Sequence, residues 1–348
     1  MKTPYSSYCL NSIAEGCKYC VKGRKLVLFI SGKCSRNCWY CSLSEKRKNK
    51  DIIWANEREI KNPSELIEEA EESQASGAGI TGGDPLLYLS RTLKYARVLK
   101  DRFGKKFHIH IYLPTKLVSS SNLKKLSKYI DEVRFHPEFI LEKSTITKDI
   151  EKIKLASLFF KKQNIGIELP MIPDKKNEIL EFIKKASNEV GFINLNEFEI
   201  SDTNFKMISS KYNLNEDTYT ISGSKEAGLW IINHLNKLKL KNNVHFCTAC
   251  LKNNYQYKNR LKLHNILPYG RKTSEGTVVY LAIYPDSIKK TENHIKKLGG
   301  YYLDNKNKRI ILDEKTANNI LKSKKYRIAR VEEHPTYDST VMDLCWLK

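Results

Sequence analysis

The order of segments along this chain predicts an α/β protein: a partial (βα)6 barrel followed by a smaller α+β domain. Three observations carry that expectation. Short β-rich runs alternate with segments of helical period through the first two thirds of the sequence. The last third breaks into the order βαββαβ. The length of 348 residues suits roughly two domains of about 150 residues each.

The strands come first. Apolar, β-rich runs fall at 25–31 (KLVLFIS), 77–81 (GAGIT), 107–113 (FHIHIYL), 132–136 (EVRFH), 164–170 (NIGIELP) and 193–200 (INLNEFEI). Helical segments separate several of them. "NPSELIEEAEES" opens with Asn62 as an N-cap and Pro63 at the first helical position. "SSSNLKKLSKYI" and "KKNEILEFIKKASNEV" behave alike. Strand–helix alternation predicts parallel β/α units. Six units make an incomplete barrel, whose site lies at the C-terminal ends of the strands.

Past a turn-rich stretch, "LPYGRKTSEG", the pattern changes. "TVVYLAIYP" reads as a strand and "SIKKTENHIKKLG" as a helix. "YYLDNKNKRIILD" reads as a hairpin turning at DNKNK, "EKTANNILKSK" as a helix and "YRIARVEEHP" as a strand. That order resembles a ferredoxin-like domain. The expected divisions are a cysteine-containing extension over 1–24, the barrel over 25–240, a Cys-x2-Cys segment with a basic helix and linker over 241–275, and the ferredoxin-like domain over 276–348.

Composition narrows the class. Hydrophobic residues make up 41% of the chain, enough for packed cores. The N-terminal stretch "MKTPYSSYCLNS" has no apolar core of a signal peptide, and "LVLFI" is too short to span a bilayer. A cytoplasmic protein without membrane contact is expected. In that compartment nine cysteines point to metal binding rather than disulfides. The formal net charge is +22, which fits either a lysine-rich solvated surface or a polyanionic partner such as RNA.

The chemistry is concentrated in "GKCSRNCWYC". Cys34, Cys38 and Cys41 are spaced C-x3-C-x2-C just past the end of the first barrel strand. A cubane iron–sulfur cluster normally takes four thiolates. Three leave one iron open to another ligand. A second motif, "ITGGDP" at 80–85, ends the second strand, and its glycines let backbone approach a ligand without side-chain obstruction.

Together these resemble the radical S-adenosylmethionine (SAM) superfamily. The resemblance spans roughly 25–240 and implies a [4Fe–4S] cluster on Cys34, Cys38 and Cys41, with SAM on the open iron. It implies reductive cleavage of SAM to methionine and a 5′-deoxyadenosyl radical, so no side chain is assigned as the catalyst. Tyr40 takes the place of an aromatic near the adenine. Gly82, Gly83 and Asp84 resemble the family's GGE motif, which binds the SAM amino group, with Asp where Glu is common. The segments around the triad, with "NLNEFEIS", look like a branch related to the pyruvate formate-lyase activating enzymes.

Other strand ends offer weaker candidates for SAM or substrate: Arg134 and His136, Glu168, and Asn196 with Glu197 and Glu199. By strand alternation Glu197 and Glu199 share one face and Asn196 the other. Outside the triad, Cys17 and Cys20 ("CKYC") with Cys247 and Cys250 ("CTAC") suit a zinc site or a second iron–sulfur cluster, with Cys9 as an alternative ligand. Cys345 reads as a buried core cysteine.

For the substrate, the charge and the basic, tyrosine-bearing C-terminal region favour RNA, in particular tRNA modification. The branch resemblance favours hydrogen abstraction from a protein, as in the activation of glycyl-radical enzymes. A cluster protein that binds RNA without chemistry would not need the SAM motifs. A reductant such as ferredoxin or flavodoxin is implied by the resemblance.

Overall fold

A computed structural model describes residues 1–215 and 218–347. The chain forms two compact units, one of Met1–Glu71 with Ala75–Tyr257, the other of Glu72–Gln74 with Lys258–Lys348.

The first unit begins with β1 (Tyr8–Leu10), α1 (Glu15–Val21), β2 (Lys25–Phe29), β3 (Ile53–Ala55) and β4 (Arg58–Ile60). It continues through α2 (Pro63–Glu72), β5 (Gly77–Thr81), α3 (Leu89–Phe103), β6 (His108–Pro114), α4 (Ser120–Leu126) and β7 (Glu132–His136). Then come α5 (Ile146–Lys154), β8 (Ile165–Met171), α6 (Lys176–Ala186), β9 (Phe192–Glu197) and α7 (Phe205–Ser209). A small hairpin, β10 (Leu214–Asn215) and β11 (Thr220–Ile221), precedes α8 (Ser224–Lys237), β12 (Asn243–Cys247) and α9 (Ala249–Leu251). A π-helix over Lys252–Tyr257 closes the unit.

Helix starts follow local chemistry. Asn62 Oδ1 accepts from the Glu65 amide, and Glu65 returns the bond by accepting from the Asn62 amide, a capping box ahead of α2. Ser119 caps α4 by accepting from the Asn122 amide.

One sheet organises the unit, in the order β1-β12-β9-β8-β7-β6-β5-β2-β3-β4. The six expected strands all form and pair in parallel from β2 through β9. A seventh parallel strand, β12, follows on β9, and β1 adds to it antiparallel. The sheet path does not close. The barrel unit therefore runs past residue 240, and the N-terminal stretch expected outside it supplies an edge strand.

The strands share one pattern. Ile109, Ile111 and Leu113 of β6, Val133 and Phe135 of β7, Ile167 and Leu169 of β8, and Ile193 and Leu195 of β9 are fully buried in one core cluster with residues of the surrounding helices. The alternate positions are polar: His108, His110 and Tyr112; Glu132, Arg134 and His136; Glu168; Asn194 and Asn196; His245. Side chains alternate across a strand, so these rows share the other face of the sheet.

The second unit holds α10 (Lys258–Leu263), β13 (Arg271–Lys272), β14 (Val278–Ile283), α11 (Ile288–Ile295), β15 (Tyr301–Asp304), β16 (Arg309–Leu312), α12 (Glu314–Ser323), β17 (Ile328–Glu333) and β18 (Val341–Leu347). Its sheet runs β15-β16-β14-β17-β18, every pair antiparallel, with β13 on β14. Ile283, Ile310, Leu312 and Ile328 pack with Ile295 of α11 and Ala317 and Ile320 of α12. The hairpin turns at DNKNK, with Asp304 opposite Arg309. Cys345 is exposed on the edge strand β18, not buried in a core.

Candidate active site

The polar strand faces surround a cavity of about 670 Å³ in the first unit. Its lining includes the loop after β2, the glycines after β5 and the inward rows of β6 through β9 and β12.

The cysteine loop is fastened from several sides. Arg36 Nη1 donates to the carbonyls of His136 and Pro137, at 3.0 and 3.1 Å. Thr203 Oγ1 donates to the Leu43 carbonyl at 2.5 Å. The Cys41 amide bonds the Cys38 carbonyl, folding the last two thiols into one turn. All three thiols line the cavity, with Cys34 exposed and Cys38 and Cys41 half-buried.

The glycine motif packs directly on this loop. A Cβ at Gly83 would lie 2.2 Å from the Lys33 carbonyl oxygen and 2.9 Å from the Cys34 Cβ. A Cβ at Gly82 would lie 2.6 Å from the Ser31 carbonyl oxygen, and Gly82 has a φ of +153°. Glycine is needed at both positions for this approach. The Gly83 amide bonds the Ser31 carbonyl, and the Asp84 amide the Lys33 carbonyl.

Asp84 behaves differently from the expectation. Its carboxylate accepts from Ser35 Oγ at 2.5 Å and from the Leu86 amide at 2.9 Å, and it is buried outside the cavity lining. Burial pushes its pKa up, against those two bonds. In this arrangement Asp84 locks the cysteine loop to the end of β5.

The other expected residues meet in the cavity: Tyr40, Gly82, Gly83, His136, Glu168 and Asn196 all line it. Burial pushes the Tyr40 phenol up and keeps it protonated. Burial, with Arg36 and Arg134 nearby, pulls the His136 pKa down to about 3, so its ring is neutral. Glu168 accepts from Asn194 and Asn196 at 2.9 and 3.0 Å and lies 3.5 Å from Arg134. Glu197 and Glu199 line the same cavity as Asn196. β9 ends at Glu197, so strict alternation does not extend to Glu199. Glu197 accepts from the Ala249 amide at 2.8 Å, and Glu199 pairs with Lys252 at 2.8 Å.

Sequence reasoning missed His110, Tyr112, Asn194, Lys252 and Gln256, all of which line the cavity. For His110, Tyr112 and Asn194 the signal was present in the period-two polar positions of strands whose parallel pairing normally makes them apolar on both faces; Lys252 and Gln256 lie on the π-helix, outside any strand. Of the accessory cysteines, Cys17, Cys20 and Cys247 line the cavity, whereas Cys9 and Cys250 do not. Among the described residues, no three His, Cys, Asp or Glu side chains are grouped closely enough to hold a metal ion, the triad included. The donor set at the mouth nevertheless suits an iron–sulfur cluster: three thiols on one glycine-supported loop, opening on a large cavity.

A sequence profile of the radical SAM superfamily matches residues 28–186, which contain the triad, the glycine motif and β3 through α6. A Methanocaldococcus jannaschii protein, named provisionally as a glycyl-radical enzyme activating enzyme, is 39% identical over 279 residues, covering 77% of this chain and 73% of its own length. Among solved structures, a radical SAM methyltransferase from Kitasatospora setae matches over 51% of this chain and 37% of its own, with TM-score 0.35 and 11% identity. Coproporphyrinogen III oxidase from Escherichia coli, a radical SAM enzyme, matches over 65% and 56%, with TM-score 0.39 and 12% identity. The chain spans little more than half the length of either structure, or less. With the M. jannaschii relative aligned over most of both chains and the profile match taking in the cysteine loop, the chain belongs to the radical SAM superfamily, on a line related to the glycyl-radical activating enzymes.

Proposed function

We propose that this protein is a cytoplasmic radical SAM enzyme that abstracts hydrogen from a protein substrate. The observation that carries the protein class is the 39% identity to a relative named as an activating enzyme. A [4Fe–4S] cluster, when bound, supplies the electron that breaks a carbon–sulfur bond of SAM. Cys34, Cys38 and Cys41 would hold it. Gly82 and Gly83 keep the strand end clear of side chains, and Asp84 holds the loop through Ser35. Tyr40 offers an aromatic face, and neutral His136 a hydrogen-bonding ring without charge. Glu168, held by Asn194 and Asn196, offers a fixed acceptor for hydroxyl or ammonium groups. A low-potential reductant such as ferredoxin or flavodoxin would deliver the electron. No helix among the described residues is long and apolar enough to cross a membrane.

A second reading, tRNA modification, is favoured by the net charge of +22 and by the lysine-rich second unit. The strand order β15-β16-β14-β17 with α11 and α12 supports taking that unit as ferredoxin-like, an architecture that serves many functions.

Anaerobically reconstituted protein is expected to release methionine on reduction, and Cys34→Ala, Cys38→Ala and Cys41→Ala to abolish that release. Mass spectrometry of the proteome and nucleosides, from cells with and without the gene, separates the substrates. A modified or radical-bearing protein lost with the gene supports the proposal. A modified nucleoside lost instead transfers the activity to RNA.

A further inference from the structure

The first unit's cavity contains a second set of thiols that chemistry at the triad does not use. Cys17 and Cys20 lie three residues apart on α1, so they share one face of the helix. Cys247 ends β12. Val21, on the same helix, packs against Cys247 and Leu251, which brings that end of α1 to the end of β12.

Cys17 packs with Ala14 and Phe192, and Cys247 with Val21 and Leu251, as small hydrophobes do. Their sulfurs also receive polar donors. Arg134 Nη2 and Asn194 Nδ2 each donate to Cys17 Sγ at 3.4 Å. Gln256 Nε2 donates to Cys247 Sγ at 3.7 Å. Lys25 and Lys252 line the same cavity. Donors and cations around sulfur are what stabilise and tune a thiolate-bound centre.

A second observation is independent of the thiols. His110 is 1% exposed and lines this cavity, yet neither ring nitrogen has a hydrogen-bond partner. Nδ1 of His245, also buried in the lining, is likewise unpaired. An orphaned buried polar atom is costly and marks a place where a ligand or ion completes the bonding. Gln256 and Lys252 lie on the π-helix that follows α9, a distortion common at functional sites.

The donor type selects the occupant. Thiolates favour zinc, copper(I) and iron–sulfur clusters. Structural zinc closes a shell of four protein ligands and would need a histidine of this lining beside the three thiols, whereas a cubane takes three thiolates as at the triad. Here three thiols face the cavity, the same number as at the triad, and Cys250 and Cys9 are outside the lining. We propose that Cys17, Cys20 and Cys247 hold a second iron–sulfur cluster in the barrel cavity, with one iron free of cysteine. Each thiol gives up its proton on binding.

The test is iron and sulfide content of the full chain after anaerobic reconstitution. Wild type should hold about eight irons, two cubanes' worth. Cys17→Ala, Cys20→Ala and Cys247→Ala should each hold about half that, and Cys250→Ala should match wild type. Because the Cys17 variants risk misfolding, the triple variant Cys34→Ala/Cys38→Ala/Cys41→Ala gives an independent reading. It should keep about four irons and a cubane electron paramagnetic resonance signal on reduction. Only about four irons in wild type, or none in the triple variant, overturns the proposal. Stoichiometric zinc in place of the second four irons overturns the cluster in favour of zinc. Loss of iron in Cys250→Ala overturns the three-thiol ligand set. None of these results depends on which substrate the triad's chemistry serves.

Discussion

Arg134 and Arg309 are the two largest fully buried side chains of the described residues, and they are buried in opposite ways. In the second unit, Arg309 donates Nε to Asp304 at 2.7 Å and both Nη atoms to Glu333 at 2.6 Å each. Its fork is fully used on two carboxylates, and Tyr280 covers its face at 5.1 Å. In the first unit, Arg134 donates Nε to Glu132 at 2.7 Å, with Nη2 2.5 Å from the same oxygen and the Tyr112 and Phe192 rings over its faces, but its remaining partners are a thiol at 3.4 Å, a phenol at 3.5 Å and Glu168 at 3.5 Å. Arg134 lines the cavity; Arg309 does not line it. Equal burial thus separates into a closed ionic lock and an open one. The closed lock specifies a fold. The open one holds charge ready beside space for a ligand.

The largest effect expected from this contrast is on stability of the second unit. Arg309→Met leaves Asp304 and Glu333 buried without their counter-ion, and breaking a buried pair from one side costs about 3–5 kcal/mol. Trp346 is the only tryptophan in that unit, so denaturant unfolding followed by its fluorescence in a chain lacking the other three tryptophans reports the loss. Release of methionine from SAM should stay near wild type in conditions where the variant is folded. A stability loss under about 1 kcal/mol would show the lock to be no stronger than a surface ion pair.

Arg134→Met should cost less stability and more function. Glu132 keeps the Gly16 amide at 3.0 Å, and Glu168 keeps Asn194 and Asn196, so neither carboxylate is stripped of donors. Glu168 also lines the open cavity. A loss of about 1–3 kcal/mol is expected, together with a clear fall in SAM cleavage measured as methionine release. Full activity with a loss matching that of Arg309→Met would make Arg134 a second structural lock and end the contrast.

The two locks also differ in how far the sequence revealed them. Short-range signals were readable: the triad, the glycines that abut it, the N-cap of α2 and all six expected strands. The seventh strand was not. In "NVHFC" only Val244 and Phe246 face the core, because His245 and Cys247 line the cavity, so two apolar residues were all the periodicity available. α1 has only seven residues, too few for a hydrophobic period, and its place against the barrel interior shows only in space. A Cβ at Gly16 would fall within 2.7 Å of His110, Arg134 and Glu132. The spacing of "CTAC" equally suggests two ligands, but Cys250 lies on α9 and is outside the lining. Asp84 read as a ligand for SAM because sequence shows a carboxylate beside two glycines, not the hydroxyl it is already bonded to.

The smallest effect concerns protons at the edge of the open lock. His108 Nδ1 lies 2.8 Å from Lys25 Nζ, and its Nε2 lies 3.8 Å from Glu132, the carboxylate that holds Arg134. Burial, reinforced by Lys25, pulls the His108 pKa down to about 4. Its unfolded value is about 6.5. Above that value the ring is neutral in both states and adds no pH dependence. Below it the unfolded chain takes a proton that the folded chain refuses, so stability falls with pH until about 4, where the folded ring also titrates. One proton accounts for at most about 1.4 kcal/mol per pH unit in that window. His108→Gln should therefore flatten the dependence of the unfolding midpoint on pH between about 6.5 and 4, by up to that slope, and leave the dependence above pH 7 unchanged. The comparison must be a difference between wild type and variant, because His136 and His245 are buried neutral as well and contribute slopes of the same sign. If the two proteins show parallel pH profiles, the His108 ring is protonated in the folded state, and Glu132 divides its charge between His108 and Arg134 instead of reserving it for the arginine.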